Sequence, residues 1–230
     1  MRILALDTAT ENCSVALLIE GNSITREELL ERGHAERILP MIDELLGESG
    51  ATLGTLSAIA FGRGPGAFTG LRLAASVTQG LAFGADLPVV PVSDLQAVAQ
   101  RLLDRDSAAR WVLVCNDARM HEVYWGCFER TAAGFAMPLS AERVDRPERV
   151  KVPSNWSRAE ARGAGRGFAV HATLATRLAG QLSSVSAELL PSALEIARLA
   201  VPEVLAGRVF PAEKALPVYL RDEVVHASTR

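Results

Sequence analysis

Cysteine is scarce in this 230-residue sequence, and its few cysteines lack the spacing of a metal site. Cys13, Cys115 and Cys127 include no CxxC pair and are odd in number. This usage is typical of a chain kept in a reducing compartment, and it argues against a zinc ribbon. Since all three lie in or beside apolar segments, we interpret them as core residues and not as nucleophiles.

Long apolar runs are also missing. No segment approaches the roughly 18 uninterrupted apolar residues of a membrane span. The N-terminal residues 1–7 become charged too soon for a secretory signal. We therefore expect a cytoplasmic protein that makes no contact with a membrane.

The sequence has no overall excess of positive charge. Its 24 Lys and Arg residues are set against 27 Asp and Glu residues, which gives a net charge of −3 at pH 7. Strong binding to nucleic acid by this chain alone is therefore not expected. The hydrophobic fraction of 49% and the charged fraction of 22% are ordinary for a globular chain with a sizeable core.

One segment, residues 141–177, is locally basic. It holds eight Arg or Lys residues and four acidic residues. Because the acids interleave with the bases, a solvated face is the first interpretation, and a surface approached by RNA is the second. The basic residues are Arg143, Arg146, Arg149, Lys151, Arg158, Arg162, Arg166 and Arg177.

Histidine offers no paired metal ligands. None of the four histidines has a second histidine four residues away, so no helix presents two imidazoles to one metal ion. His34 has only Glu36 beside it, and we interpret it as a structural or interface residue. No G-x-S-x-G motif indicates a serine nucleophile.

The apolar pattern predicts two α/β halves. Strands are expected at residues 3–10 and 14–20, with a more polar edge strand at 23–30 and helices near 35–46 and 71–83. After a polar boundary, a similar plan restarts near Trp111, and Asp117 takes the place that Asp7 holds in the first half. We divide the chain into an N-terminal lobe, 1–105, and a C-terminal lobe, 106–230.

The most distinctive motif is a glycine turn, Phe61–Arg72, with four glycines and a proline between a predicted strand and a predicted helix. A P-loop needs a lysine directly after its last glycine, but Leu71 follows Gly70 here. The spacing of a dinucleotide fingerprint is missing as well. The pattern favours a structural turn, and contact with a nucleotide held by other residues is the alternative.

Asp7 lies between two predicted antiparallel strands. An aspartate there can hold a divalent cation or orient a phosphate-bound water, or it can simply bond to its own backbone. These readings stay open. The candidates for nucleotide contact are Asp7, Gly66 and Thr69.

The two predicted helices carry more apolar surface than one sheet face can cover, and such surface usually marks a protein contact. Small residues along the second helix are expected to let another helix pack closely. A charge at Leu39 or Ala74 is expected to prevent pairing without disturbing the fold. The predicted interface comprises His34, Glu36, Leu39, Ile42, Leu46, Leu71, Arg72, Ala74, Ala75, Thr78 and Ala82.

Together these motifs resemble the bacterial TsaB (YeaZ) family. The likeness covers nearly the whole chain, is most specific at the glycine turn, and is loosest over residues 130–190. The segments that carry it are residues 3–10, His34-Ala35-Glu36 with Leu39-Pro40, residues 62–72, Asp117-Ala118-Arg119 with Glu122-Val123-Tyr124, and residues 217–221.

The resemblance implies the actin-like ATPase fold of sugar kinases, Hsp70 and actin, built as two α/β lobes from a duplicated unit. It also implies a non-catalytic scaffold of the complex that makes N6-threonylcarbamoyladenosine at position 37 of tRNA. The partners would be the catalytic paralogue TsaD and the ATPase TsaE, with tRNA bound through the complex. For the chain alone, a monomer and a homodimer both stay open. The subunit would need no cofactor of its own, and ATP or ADP would lie at the partner interface.

Two other functions stay open at this stage. An active actin-like kinase would need a second phosphate loop, for which residues 163–167 are the only other glycine-rich candidate. A metal-dependent hydrolase would need ligands that the histidine spacing does not supply. A free-standing RNA-binding module is disfavoured by the negative net charge.

Overall fold

The structure, a computed structural model, describes residues 1–221. The first sheet has the strand order β3-β2-β1-β4-β5. Its first three strands form an antiparallel meander, and β4 and β5 continue it in parallel beside β1. The strands are β1 Arg2–Asp7, β2 Asn12–Ile19, β3 Asn22–Leu29, β4 Ala58–Gly62 and β5 Val89–Val92.

The second sheet repeats this plan with the order β11-β10-β6-β7-β8, and β9 also pairs with β7. The β6–β7 pair is antiparallel, whereas β10 and β11 run parallel to β6. The α/β class and the duplicated plan are therefore confirmed. The strands are β6 Trp111–Asp117, β7 Val123–Arg130, β8 Ala136–Pro138, β9 Arg143–Asp145, β10 Ala161–Ala164 and β11 Ser184–Ser186.

Six α-helices complete the described part of the chain. They are α1 His34–Ser49, α2 Phe68–Ala85, α3 Asp94–Arg105, α4 Gly167–Val170, α5 Ala172–Leu178 and α6 Ala193–Leu205. None of these helices meets the length and apolarity that a membrane crossing requires.

Two predicted helix bounds were wrong. The helix expected near residues 35–46 continues to Ser49, because the left-handed cap is supplied by Gly50, with φ of 64°. The helix expected to begin at Leu71 begins at Phe68. The end of the glycine turn, Thr69 and Gly70, therefore belongs to the first turn of α2.

Two helices cross between the halves. Helix α3 follows the first sheet in sequence, but Leu95, Val98 and Leu102 pack against Val112 and Val114 of the second sheet. Helix α6 follows the second sheet but packs on the face of the first sheet opposite α1 and α2. The boundary at residues 105/106 stays a prediction, and residues 222–230 of the predicted C-terminal lobe lie outside the described residues.

Candidate functional site

The glycine turn packs directly onto the loop that follows β1. A Cβ added at Gly66 would lie 2.6 Å from the carbonyl oxygen of Ala9, and one at Gly70 only 1.9 Å from that of Thr8. The Ala67 N–H donates to the Ala9 carbonyl over 2.8 Å, and the Thr8 hydroxyl donates to the Gly70 carbonyl over 2.7 Å. These glycines allow two backbones to touch, which is the requirement of a structural joint.

Beneath the turn lie two buried carboxyl groups, those of Asp7 and Asp94. Both side chains are 0% exposed. A Cβ at Gly62 would lie 2.5 Å from an oxygen of each, so only glycine fits there. Asp7 accepts the Ala9 N–H over 2.9 Å. Asp94 begins α3 and exchanges hydrogen bonds with Gly64, accepting its N–H and donating its own N–H to the Gly64 carbonyl over 3.0 Å.

An oxygen of each carboxyl group lies 2.5 Å from the Cβ that Gly62 would carry, and Oδ2 of Asp7 and Oδ1 of Asp94 have no other hydrogen-bond partner within the described residues, so we infer that the two groups share a proton. Burial raises the pKa of Asp7, although the N–H donors of Ala9 and Thr8 oppose the shift. Burial and the neighbouring Asp7 raise the pKa of Asp94 well above its usual value. We therefore assign the proton to Asp94, which donates to the Asp7 carboxylate.

The three residues predicted to contact a nucleotide differ in accessibility. Asp7 is closed off under the turn, Gly66 is half-buried and Thr69 is exposed on α2. A cation or nucleotide could reach Asp7 only if the turn moved. Two surface cavities, of about 460 and 550 Å³, lie elsewhere and are lined by none of the three. Nucleotide contact by these three residues therefore stays a prediction. For Asp7, such contact would require the glycine turn to move.

The second half places Asn116 and Asp117 at the corresponding strand end. Asn116 is 6% exposed, and neither polar atom of its side chain has a partner within the described residues. Asp117 accepts the Arg119 N–H over 3.0 Å and lies 3.7 Å from Nε2 of His171. Asp117 is the last residue of β6 as Asp7 is the last residue of β1, but the surroundings of the two differ.

The eleven predicted interface residues divide by exposure. Leu39, Glu36 and Arg72 are exposed, Leu46 is half-buried, and half-buried His34 places its Nε2 2.9 Å from the carbonyl oxygen of Thr10. The small residues of α2 face the chain's own core and not an incoming helix. Because their side chains are small, α2 lies close to the first sheet. The buried six are Ile42, Leu71, Ala74, Ala75, Thr78 and Ala82.

This burial changes one expectation about substitutions. Ala74 is 0% exposed, so a glutamate there would disturb the core before it could affect any partner. Leu39 is 50% exposed and remains a suitable place for a charge. Whether the two helices form the partner interface stays a prediction.

The exposed side of α2 carries a cluster that the sequence pattern did not indicate. The Arg72 guanidinium lies 3.8 Å from the Phe68 ring centroid, and its Nε donates to the Tyr219 hydroxyl over 3.0 Å. The rings of Phe68 and Tyr219 are 5.5 Å apart. We call Phe68, Arg72 and Tyr219 the aromatic–arginine cluster. Residue 219 lies far along the chain, so only the fold could reveal it.

The segment that carries Tyr219 joins the two halves. The Val218 N–H donates to the Arg63 carbonyl over 2.7 Å, at the glycine turn. Arg221 pairs with Glu122 and donates to the Ala118 carbonyl over 3.3 Å, in the turn after β6. Residues 217–221 thus connect the glycine turn to the Asp117 turn.

The cysteines are core residues, as predicted. All three are buried. Burial raises the pKa of the Cys13 thiol to about 11 and that of Cys127 to about 12, and it raises the pKa of Cys115 well above its usual value. At neutral pH they are therefore protonated thiols and poor nucleophiles. Residues 1–221 contain no group of three His, Cys, Asp or Glu side chains arranged to hold a metal ion.

Comparison with known proteins agrees with the motifs. The family model described as TsaD, tRNA N6-adenosine threonylcarbamoyltransferase, matches residues 23–216. The tRNA threonylcarbamoyladenosine biosynthesis protein TsaB of Haemophilus influenzae is 42% identical, over 97% of this chain and 95% of its own length. TsaB of Escherichia coli is 41% identical, over 97% and 96% respectively.

A solved structure supports the same assignment. YeaZ from Pseudomonas aeruginosa superposes with a TM-score of 0.85 at 44% identity, covering 95% of this chain and 99% of that one. Identity at this level over nearly the full length, together with the shared fold, establishes the relationship. The chain belongs to the TsaB (YeaZ) family of tRNA threonylcarbamoyladenosine biosynthesis proteins.

Proposed function

We propose that this chain is a non-catalytic scaffold subunit of the complex that forms threonylcarbamoyladenosine at position 37 of tRNA. It pairs with the catalytic paralogue TsaD and supports the active state of TsaD. The names of its TsaB relatives support the pathway, and the match to a TsaD family model supports common ancestry with the partner. TsaE completes the complex, and tRNA binds through it.

The observation that carries this proposal is the exposed apolar surface on α1 and α2. Leu39 is 50% exposed, Phe68 is 50% exposed and Phe83 is 82% exposed. Tyr219 and Arg72 complete this surface through the aromatic–arginine cluster. Aromatic residues and arginine are the side chains most enriched at binding hot spots. We infer that TsaD covers this surface.

The interior of the first half favours support over catalysis. Asp7, the residue best placed to act on a phosphate or a cation, lies beside Asp94 and is buried from solvent. An aspartate held in this way stabilises the joint between β1, the glycine turn and α3. In this proposal the subunit needs no cofactor of its own, and ATP or ADP binds at the partner interface.

Reconstitution tests the proposal. The cognate TsaD and TsaE are mixed with tRNA and threonylcarbamoyl-adenylate, and modified adenosine is measured with and without this chain. We expect formation to depend on the chain. Full activity in its absence would refute the scaffold function.

Paired substitutions locate the contact. Leu39→Asp should abolish co-elution with TsaD on a sizing column and remove the stimulation of activity, because it buries a charge without a partner. Leu205→Asp is the matched control, since Leu205 is 74% exposed on α6, on the opposite face of the first sheet. Both variants should fold, as circular dichroism would verify. Equal co-elution of both would exclude α1 from the contact.

A further inference from the structure

The basic segment of residues 141–177 separates into two groups in the structure. Four of its cations are engaged internally: Arg162 pairs with Asp106, Arg166 pairs with Glu11, and Arg158 and Arg177 donate to backbone carbonyls. The other four lie on the surface, and none has a salt-bridge partner within residues 1–221. We call these four the basic ridge: Arg143, Arg146, Arg149 and Lys151.

The backbone beneath the basic ridge is held firmly. Pro147 and Val150 are buried, and their carbonyl oxygens accept hydrogen bonds of 2.7 and 2.8 Å from Arg177 of α5. The Arg149 N–H also donates to the Arg146 carbonyl over 2.9 Å, which closes the turn. The ridge side chains therefore project from a fixed backbone. Binding would then cost conformational entropy of the side chains and not of the backbone.

Most carboxylates near the ridge are already occupied. Asp145 accepts the indole N–H of Trp125 over 3.1 Å. Glu142 bonds to Ser93 and lies 3.4 Å from Arg63. Of the acids between residues 142 and 151, only Glu148 is exposed with no salt-bridge or side-chain hydrogen-bond partner among the described residues. The hydrogen bond from the neutral indole leaves the charge of Asp145 in place, so four cations stand against two carboxylates that no cation neutralises, Asp145 and Glu148, and the ridge keeps a net positive charge although the chain as a whole is negative.

We propose that the basic ridge binds the phosphate backbone of RNA, and that this RNA is the tRNA bound to the assembled complex. The inference rests on the proposed function for the identity of the RNA. Charged contacts of this kind position an RNA without reading its sequence. A net charge of −3 makes the ridge too weak alone, so it acts once the complex has brought tRNA near, where a tethered contact has a high effective concentration.

The test measures binding of fluorescent tRNA to the assembled complex over a range of salt concentrations. Arg146→Gln with Arg149→Gln should weaken binding about tenfold in low salt and reduce the slope of log affinity against log salt by about 1 to 2. The matched control is Arg105→Gln with Lys214→Gln, two exposed cations far from the ridge in sequence that also have no salt-bridge partner within residues 1–221. The control should keep the affinity and the slope of the unaltered complex.

The outcomes separate this proposal from the one it rests on. Equal affinity and slope for both double variants would overturn the ridge. Loss of co-elution with TsaD by the ridge variant would also overturn it, because the ridge would then contact an acidic protein surface. If tRNA binding depends on the ridge while omission of the chain leaves modification unchanged, the proposal that the ridge binds tRNA is supported and the scaffold function is refuted.

Discussion

In both halves of the molecule, a glycine touches a polar side chain near the end of the first strand. The hydrogen-bond partners of that side chain differ between the halves. In the first half, Gly62 touches Asp7, which accepts the Ala9 N–H and lies beside Asp94, and one oxygen of each carboxyl group has no other partner within the described residues. In the second, a Cβ at Gly165 would lie 2.4 Å from Oδ1 of Asn116, whose polar atoms have no partner within the described residues. A duplicated plan therefore fixes where polar groups lie but not how they are satisfied.

The difference indicates separate roles for the two glycine loops. The first is locked by backbone contacts and by a shared proton, so it serves as a rigid start for α2. The second leaves a buried amide incompletely bonded, which costs stability and is uncommon in native interiors. Four comparisons test this contrast, in order of expected effect.

The largest effect is expected for Gly70→Ala. Its Cβ would lie 1.9 Å from the Thr8 carbonyl oxygen, and two backbones would have to separate, so we expect a loss of more than about 3 kcal/mol or no folded protein. Gly80→Ala in the same helix is the control, because nothing lies within 4 Å of its Cβ. It should be neutral or stabilise by up to about 1 kcal/mol. Urea unfolding measures both, and similar losses would contradict a locked joint.

The next effect compares Asp7→Leu with Asn116→Leu. Removing Asp7 leaves the Ala9 N–H and Asp94 without their buried partner, which should cost about 3 kcal/mol or more of unfolding free energy. Removing the incompletely bonded Asn116 should change it by less than about 1 kcal/mol. Thermal and urea unfolding decide between the two. A large loss for Asn116→Leu would show that its amide is satisfied after all.

A smaller, pH-dependent effect is expected for Asp94→Asn. Since the folded pKa of Asp94 is raised above its unfolded value of 3.8, only the unfolded chain releases this proton as the pH rises, and wild-type stability falls. The amide keeps a donor for Asp7 and an acceptor for Gly64 but does not titrate. The unfolding free energy of Asp94→Asn minus that of the wild type should therefore rise with pH, by up to about 1.4 kcal/mol per pH unit above pH 4.

Controls for this titration come from the surroundings of the pair. The charged groups that face it are His34 and Glu142, and the Cys13 thiol lies close to Asp7. They are unchanged in Asp94→Asn, so the difference between the two proteins isolates the pair. A pH-independent difference for Asp94→Asn would mean that the pair holds no shared proton.

The smallest effect is expected for Arg166→Gln, which breaks the 2.6 Å ion pair with Glu11 between the halves. Both side chains are largely exposed, at 47% and 38%, so the loss of unfolding free energy should stay below about 1 kcal/mol and vanish in high salt. A larger loss would mean that this pair, and not residues 217–221, holds the halves together.

Local signals predicted much of the fold. The polar strand β3 lies at the sheet edge as expected, and Ser93 caps α3 by accepting the Gln96 N–H. The missing lysine after Gly70 favoured a structural turn. In the structure this turn packs against the backbone of Thr8 and Ala9. These features depend on residues close together in sequence, where propensity and spacing apply directly.

The rest depended on contacts between distant residues. Asp94 had the pattern of a helix start, and nothing in the sequence connected it to Asp7. The small residues of α2 fitted either a partner helix or the chain's own sheet, since periodicity gives the faces of a helix but not their neighbours. The crossing of α3 and α6 between halves was hidden for the same reason.

The sequence alone determined the family, the two α/β halves, and the need for glycine at a turn with no phosphate-binding lysine, because these follow from residue identity and local spacing. Only the tertiary structure decided which apolar residues of α1 and α2 stay exposed, which cations remain on the surface, and that Asp7 lies beside Asp94 in the interior. Each of these depends on burial and on pairs of side chains brought together by folding, and the free energy of a charge depends on its surroundings as much as on its chemistry.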